Sequence, residues 1–370
     1  MMTPAETLKK VQDVFSKVGI TRVANITHFD HFYDVYVCNC IRPNSKNLSV
    51  SQGKGPSLEL AMISAIMESL EGYHVEEPLP SKMTGTFWGA QRANIVSPNL
   101  FCTTEFHADL ENIQLKWTSA TSLLNNQEML IPAALTCINT TLPNMDYLYF
   151  NVSSNGLAAG NSKNEALCHA IFEIIERDAL YAWQQKTNES KSADLIHPQV
   201  VDDLNSPVID KLKAHGLSLR IWSITSHLEV PAYHVAIIDE HSMRSLNVFT
   251  GTGAHFSKSI ALYRAISEAI QGRLTYITGV RDDIFEDYYK KMRVNHVHFL
   301  PKHVGSEGKN FADELSRPVF GAGENLQTLL AMLKSNNYDK VLMVDHTREE
   351  LNIPVVQVFI PGMQLNNARM

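Results

Sequence analysis

The sequence predicts an α+β protein, a single large domain built from internally repeated helix-strand units. Three observations carry this: three helical segments share one spacing pattern, each follows a glycine-bearing stretch, and runs rich in Val, Ile and aromatic residues lie between them.

The repeat reads A-x3-A-x2-E-x2-[E/Q]. AMISAIMESLE supplies Ala61, Ala65, Glu68 and Glu71, and ALCHAIFEIIE supplies Ala166, Ala170, Glu173 and Glu176. ALYRAISEAIQ supplies Ala261, Ala265, Glu268 and Gln271. On a helix, steps of three, four and seven share a face, so each acid stands with alanines, which allow close packing. The remaining face, such as Ile171, Phe172, Ile174 and Ile175, needs burial. SQGKGPS, NGLAAGNS and GTGAHFS precede the three helices and read as tight entries into them. Strands are expected in LSLRIWSI (217–224), AYHVAII (232–238), KVLMVD (340–345) and PVVQVFI (354–360). The stretches around 184–207 and 303–314 are expected to be mobile.

One glutamate pair at i, i+3 is ordinary solvated surface. Three copies on one alanine framework are not. If the helices converge, five like charges share a small volume, and cations or protonation must offset their repulsion. Carboxylates so gathered suit Mg²⁺, a hard ion that bridges protein acids to nucleotide phosphates. A metal-nucleotide site is therefore expected, with Lys54 and Arg264 as phosphate contacts. Arg177, beside Glu176, fits either a phosphate contact or a structural ion pair that holds the acids. QGKGPS is not a P-loop: Leu48 stands where a Walker A motif needs its first Gly, and Gly55 follows Lys54 where it needs Ser or Thr.

Bulk properties bound the partners. The 370 residues, 44% hydrophobic and 19% charged, suffice for a large core, and the net charge of −7 argues against general nucleic-acid binding. No run of apolar residues is long enough to span a membrane and MMTPAETLKK lacks a signal-peptide apolar region, so a cytoplasmic location is expected. Five cysteines without a Cys-x-x-Cys pair signal neither disulfides nor zinc and read as small buried residues. The close pairs His28/His31 and His296/His298 lack further ligands at metal spacing.

These motifs resemble the YcaO family. The likeness runs through GITRVANIT (19–27), VSQGKG (50–55), SAIMESLEGYH (64–74), SSNGLAAGNSKNEALCHAIFEIIERDAL (153–180), GTGAHFSKSIALYRAISEAIQGRL (251–274), GVRDD (279–283) and PVVQVFIPGM (354–363). The resemblance implies an ATP- and Mg²⁺-using enzyme that phosphorylates a peptide amide oxygen after a nucleophile adds to the amide carbon. It also implies a YcaO-type domain over 1–370 around a nucleotide site unlike the P-loop, without a separate peptide-recognition domain. Carried over, Glu68, Glu71, Glu173, Glu176 and Glu268 match positions that hold Mg²⁺ or contact ATP. Ser64, His169, Arg264 and Gln271 match polar positions lining the same site. Glu173, Glu176, Glu268, Gln271 and Arg264 are the expected catalytic set; Thr7, Lys54, Ser64, Glu68, Glu71, His169 and Arg264 are expected at the nucleotide. Two departures stand out. The family often has a basic residue ahead of the Thr matched by Thr7, and here that position falls before Met1. The ending PGMQLNNARM lacks the proline-rich tail of azoline-forming members, which tilts the expectation toward the TfuA-associated, thioamide-forming branch with an external sulfur donor. An azoline-forming cyclodehydratase and a non-catalytic nucleotide-binding scaffold are the alternatives; all five glutamates being present favours the enzyme. The expected partners are a peptide or protein substrate and a TfuA-like or other substrate-delivery protein, with a homodimer open as the assembly.

Overall fold

The computed structural model describes residues 2–90, 94–101, 110–141, 149–150, 152–197, 206–239, 248–292 and 308–364. His296, His298, Cys102, residues 198–205 and 303–307 of the two stretches expected to move, and the chain after Gln364 lie outside the described residues. Helices α1 (Pro4–Gln12), α2 (Phe15–Val18), α3 (Leu58–His74), α4 (Lys163–Gln184), α5 (Asn188–Ala193), α6 (Pro207–Ala214), α7 (Lys258–Thr278), α8 (Glu286–Met292) and α9 (Ala322–Ser335) are interspersed with strands. These are β1 (Arg22–Asn25), β2 (Tyr36–Ile41), β3 (Val50–Gly55), β4 (Met83–Gly85), β5 (Leu115–Ser122), β6 (Glu128–Pro132), β7 (Leu157–Ala159), β8 (Ser218–Ser223), β9 (Ala232–Ile238), β10 (Val248–Ala254), β11 (Leu342–Asp345) and β12 (Val355–Phe359). The class is α+β as the sequence predicts. Helices α3, α4 and α7 are the three repeat helices, and β8, β9, β11 and β12 fall within the four predicted strand runs.

The chain forms two compact units. One holds residues 1–43, 48–69 and 175–319, the other 44–47, 70–174 and 320–370. Helices α3 and α4 each begin in one unit and end in the other, so neither unit is a contiguous stretch of sequence.

The first unit contains two three-stranded antiparallel sheets, β1-β2-β3 and β8-β9-β10. In each, the last strand leads into a repeat helix, α3 or α7. β9 is buried at every residue, as a strand covered on both faces must be. Its Tyr233, Val235 and Ile237 share a core with Ala261, Ala265, Ile266 and Ala269 of α7. On alternate positions, His234 lies 5.0 Å from the Trp183 ring and 5.7 Å from Trp222. Burial pushes its pKa down to about 4, so it is a neutral core imidazole at physiological pH.

The glycine stretches do lead directly into the helices, two of them as the strands β3 and β10 and the third bracketing β7. A Cβ on Gly53 would lie 2.0 Å from Ala65 N and 2.4 Å from Ala61 O; one on Gly253 would lie 2.2 Å from Ala261 O. The glycine strand and the alanine face are therefore two sides of one contact, in which backbone meets backbone because neither side carries bulk. In the second unit, Gly156 and Gly160 flank β7. Gly156 has φ +74°, and a Cβ there would lie 2.3 Å from Val358 O.

The second unit is built on an antiparallel sheet of order β4-β5-β11-β12-β7, with β6 also paired to β5. Trp117, Leu110 and Phe150 are fully buried against it. Cys38, Cys40 and Cys168 are buried, as expected, and burial pushes each thiol up to about 11; Cys137 departs from that expectation and is only half-buried, beside the Glu76 carbonyl at 3.8 Å. The described parts of the two stretches expected to move carry local structure. Residues 188–193 form α5, N-capped by Thr187, and Lys258 Nζ donates to the carbonyls of Phe311, Ala312 and Glu314 at 2.9, 2.8 and 3.0 Å.

A buried ion pair fixes α7 in the first unit. Arg273 Nε donates to Asp30 Oδ2 at 2.6 Å, with both side chains under a tenth exposed. Burial disfavours the Asp30 charge, yet the guanidinium beside it holds its pKa below the usual carboxylate range. Because the folded value is the depressed one, this stabilisation is complete above the unfolded pKa and is lost as pH falls through the folded pKa. Asp30→Asn is expected to cost about 2 kcal/mol at neutral pH. It should also flatten the acid limb of the stability profile, which urea denaturation across that limb reads directly.

Candidate functional site

The repeat explains why the acids sit where they do. Each helix leans its alanines on its own glycine strand, and the last polar residue of its motif reaches the glycine strand of the next repeat. Glu71 of α3 accepts from the Ala159 N–H of β7 at 2.7 Å, within the second unit. Glu176 of α4 accepts from the Ala254 N–H of β10 at 3.1 Å, within the first unit. Gln271 of α7 donates from Nε2 to the Gln52 carbonyl of β3 at 3.1 Å, closing the series. The third copy thus carries an amide because its partner is a carbonyl; a carboxylate there would set oxygen against oxygen. Glu173 adds a further anchor, accepting from the Gly156 N–H at 3.1 Å.

In the first unit, three cations, Lys54, Arg177 and Arg264, act on Glu176 and Glu268. Lys54 Nζ donates to Glu268 Oε2 at 3.3 Å and to Gln271 Oε1 at 2.9 Å. Arg177 Nη1 lies 3.7 Å from Glu176 Oε1, so the structural ion pair considered for Arg177 is present. Glu176 is 4% exposed. Burial raises its pKa, and Glu268 adds to the rise against the pull of Arg177, Arg264 and Lys54. Burial works in the same sense on Glu268, but Lys54, Arg177 and Arg264 hold its carboxyl below its usual value. Two neighbouring carboxyls are thereby pushed apart in acidity, the arrangement in which one proton or one cation is shared between like groups.

The other expected residues are placed as follows. Ser64, His169 and Arg264 each stand four residues, one helical turn, ahead of the first acid of their copy. His169 and Glu68 are exposed, and Ser64, Glu71, Glu173, Arg264 and Lys54 are half-buried. Thr7 is buried at 3% exposure on α1. Glu68 acts electrostatically on Arg281, whose guanidinium is forked onto Asp283, with Nε to Oδ1 at 2.7 Å. Asp282 accepts from Ser49 Oγ at 2.8 Å, so GVRDD ties the end of α7 to the start of β3.

Sequence reasoning missed the polar network behind Lys54. Gln52 Nε2 donates to Asn39 Oδ1 at 2.8 Å, and Gln52 Oε1 accepts from Thr275 Oγ1. The signal was available in β3: Gln52 and Lys54 alternate with Gly53 and Gly55, so both point away from the helix those glycines press against.

Among the described residues, no three or more His, Cys, Asp or Glu side chains gather to hold a metal ion unaided. The acids fit Mg²⁺ all the same. That ion commonly takes one or two carboxylates and completes its shell with waters and nucleotide phosphates. The buried Glu176 carboxyl beside Glu268 is a hard-oxygen pair whose charge a divalent ion would offset.

Fold and site together define an α+β protein whose repeat helices gather carboxyls and cations without a P-loop. The chain belongs to the YcaO family: the family model described as YcaO cyclodehydratase, ATP- and Mg²⁺-binding, matches residues 52–364. Membership brings ATP and Mg²⁺ as the cofactors. A heterocyclase structure in complex with substrate and cofactor has a TM-score of 0.79 at 21% identity, covering 98% of this chain and 52% of that one. This chain thus spans about half the length of that heterocyclase. YcaO from Methanopyrus kandleri, bound with AMPPCP and Mg²⁺, has a TM-score of 0.68 at 20% identity, covering 98% of this chain and 92% of that one. Both likenesses show the fold. A Rhizobium leguminosarum bv. trifolii protein in the tfuA 3′ region is 28% identical over 385 residues, covering 99% of this chain and 88% of the relative. No helix among the described residues is long and apolar enough to cross a membrane.

Proposed function

We propose that the protein activates backbone amides of a peptide or protein substrate at the expense of ATP, and that the incoming atom is sulfur, so that the product is a thioamide. The observation that carries the ATP-dependent reading is the Glu176–Glu268 pair, one carboxyl buried and the other held by Lys54, with Arg177 and Arg264 close enough to act on both. ATP, when bound, supplies the phosphoryl group that turns an amide oxygen into a leaving group. Glu176 and Glu268 serve as the acids for its Mg²⁺, and Ser64 lines the nucleotide. Lys54, Arg177 and Arg264 contribute fixed positive charge where phosphate charge would lie, so that positioning and charge neutralisation do most of the work. Gln271 orients Lys54 through its carbonyl oxygen.

The tfuA-region relative supports the sulfur branch and a TfuA-like protein as the partner that delivers substrate or sulfur. Cys168 is not a sulfur relay in this reading, since its thiol is buried and donates to the Ala322 carbonyl at 3.2 Å. The test is mass spectrometry of a candidate substrate incubated with the protein, ATP, Mg²⁺, sulfide and a TfuA-like partner. Replacement of one oxygen by sulfur is the expected product. Loss of one water without sulfur uptake would reassign the chemistry to azoline formation, and an unmodified substrate with wild-type ATP consumption would count against amide activation.

A further inference from the structure

Lys54 is held by more than its charge partner. Gln52 and Lys54 occupy alternate positions of β3 and face α7, where Gln271 and Thr275 lie one turn apart. From the inside outward, Gln52 Nε2 donates to Asn39 Oδ1, and the single hydroxyl proton of Thr275 Oγ1 is shared between Gln52 Oε1 and, at 2.8 Å, the backbone carbonyl of Gln271 one turn earlier in α7. Gln271 Nε2 donates to the backbone carbonyl of Gln52, which the side-chain bonds of Gln52 and Thr275 hold in place against α7, and Gln271 Oε1 is thereby turned to Lys54 Nζ. Asn39, Gln52 and Thr275 are 2%, 4% and 6% exposed, so this chain of bonds is dry and its amides are committed to one orientation. A flipped Gln271 amide would aim N–H at the ammonium and oxygen at the Gln52 carbonyl.

We infer that Thr275 and Gln52 are positioning residues that fix Lys54 for an anionic ligand, the phosphate chain of a nucleotide, although neither touches that ligand. The inference rests on the nucleotide reading above. An ammonium has three donors, and Glu268 and Gln271 take two of them. The third is directed by the first two, so the aim of Lys54 depends on the fixed amide of Gln271. Lysine alone is a point charge on a flexible stem. The buried network supplies the direction that the residue type lacks.

Two readouts separate the parts of this claim. In the unliganded protein, amine-selective labelling read by peptide mass spectrometry should modify Lys54 severalfold faster in Thr275→Val than in wild type, with Thr275→Ser close to wild type. In calorimetry with Mg²⁺ and AMPPCP, Thr275→Val should weaken binding by about tenfold, while Thr275→Ser restores it. The double variant Lys54→Met, Thr275→Val should bind no more weakly than Lys54→Met, because Thr275 acts through Lys54. Gln52→Met, of similar length without the amide, should follow Thr275→Val in both assays if it folds. Unchanged Lys54 labelling in Thr275→Val, wild-type affinity in that variant, or additive losses in the double variant would overturn the inference. Labelling that responds as expected in a wild type that binds no Mg²⁺–AMPPCP would instead sink the nucleotide reading and leave Lys54 positioning in place.

Discussion

Gly53→Ala is expected to abolish the native packing of the first unit. The added Cβ would meet the Ala65 nitrogen at 2.0 Å and the Ala61 oxygen at 2.4 Å, and both obstacles are backbone. No rotamer change relieves them; helix α3 must move off β3, which would shift Glu68 with it. Overpacking of a close contact typically costs about 1–3 kcal/mol, and this case belongs at or above the top of that range. Gly272→Ala is the control. Nothing lies within 4 Å of a Cβ at Gly272, and the residue is inside α7, so alanine should stabilise the helix by about 0.5–1 kcal/mol. Denaturant midpoints moving in opposite directions for the two substitutions would confirm that space, and not glycine as such, governs position 53. Equal midpoints would contradict it.

Glu176→Gln and Glu268→Gln should each reduce ATP turnover by about a hundredfold or more while leaving the fold intact. The two substitutions differ in what they do to stability. Burial and the Glu268 charge already press Glu176 toward its neutral form, and a glutamine oxygen can still accept from the Ala254 N–H. Glu176→Gln should therefore be neutral or slightly stabilising without ligand. Glu268→Gln loses the ion pair with Lys54, which is half-buried, and should cost under about 1 kcal/mol. Lost turnover with retained stability places both acids in function. Wild-type turnover in either variant would remove that acid from the site.

How much of this was legible in the residues follows from which forces act locally. The A-x3-A-x2-E-x2-[E/Q] spacing gave the three long helices because helical periodicity is a property of neighbours in sequence. AYHVAII gave β9 residue for residue, since a run of apolar and β-branched residues interrupted only by His234 suits a strand covered on both faces. The glycine stretches were legible as tight entries into helices, but only tertiary contact reveals that Gly53 and Gly55 lie in a strand and admit the backbone of α3 to β3. β2 went unremarked because YVCNCI places Asn39 in its middle. That side chain is 2% exposed and satisfied by Gln52, its cross-strand partner on β3. The same limit hid Thr275 and Gln52 as supports of Lys54, for their roles arise from partners more than two hundred residues apart in sequence.

The acid side chains were found through their repetition, yet their individual roles needed coordinates. Gln271 looked like a substitution within an acid series. In the structure it is the member whose strand partner is a carbonyl instead of an N–H, which explains the amide. Thr7, matched to the nucleotide by resemblance, is enclosed on α1, whereas Glu68 and His169 are open to solvent.

The central claim is that carboxylates of the repeat helices hold a nucleotide through divalent ions. Calorimetric titration of AMPPCP into the purified protein, with and without Mg²⁺ and in parallel with folded Glu176→Gln and Glu268→Gln variants, tests it most directly. Binding that requires Mg²⁺ and is lost or sharply weakened in both variants is the predicted result. Binding of equal strength in the wild type and both variants, or binding indifferent to Mg²⁺, would contradict it.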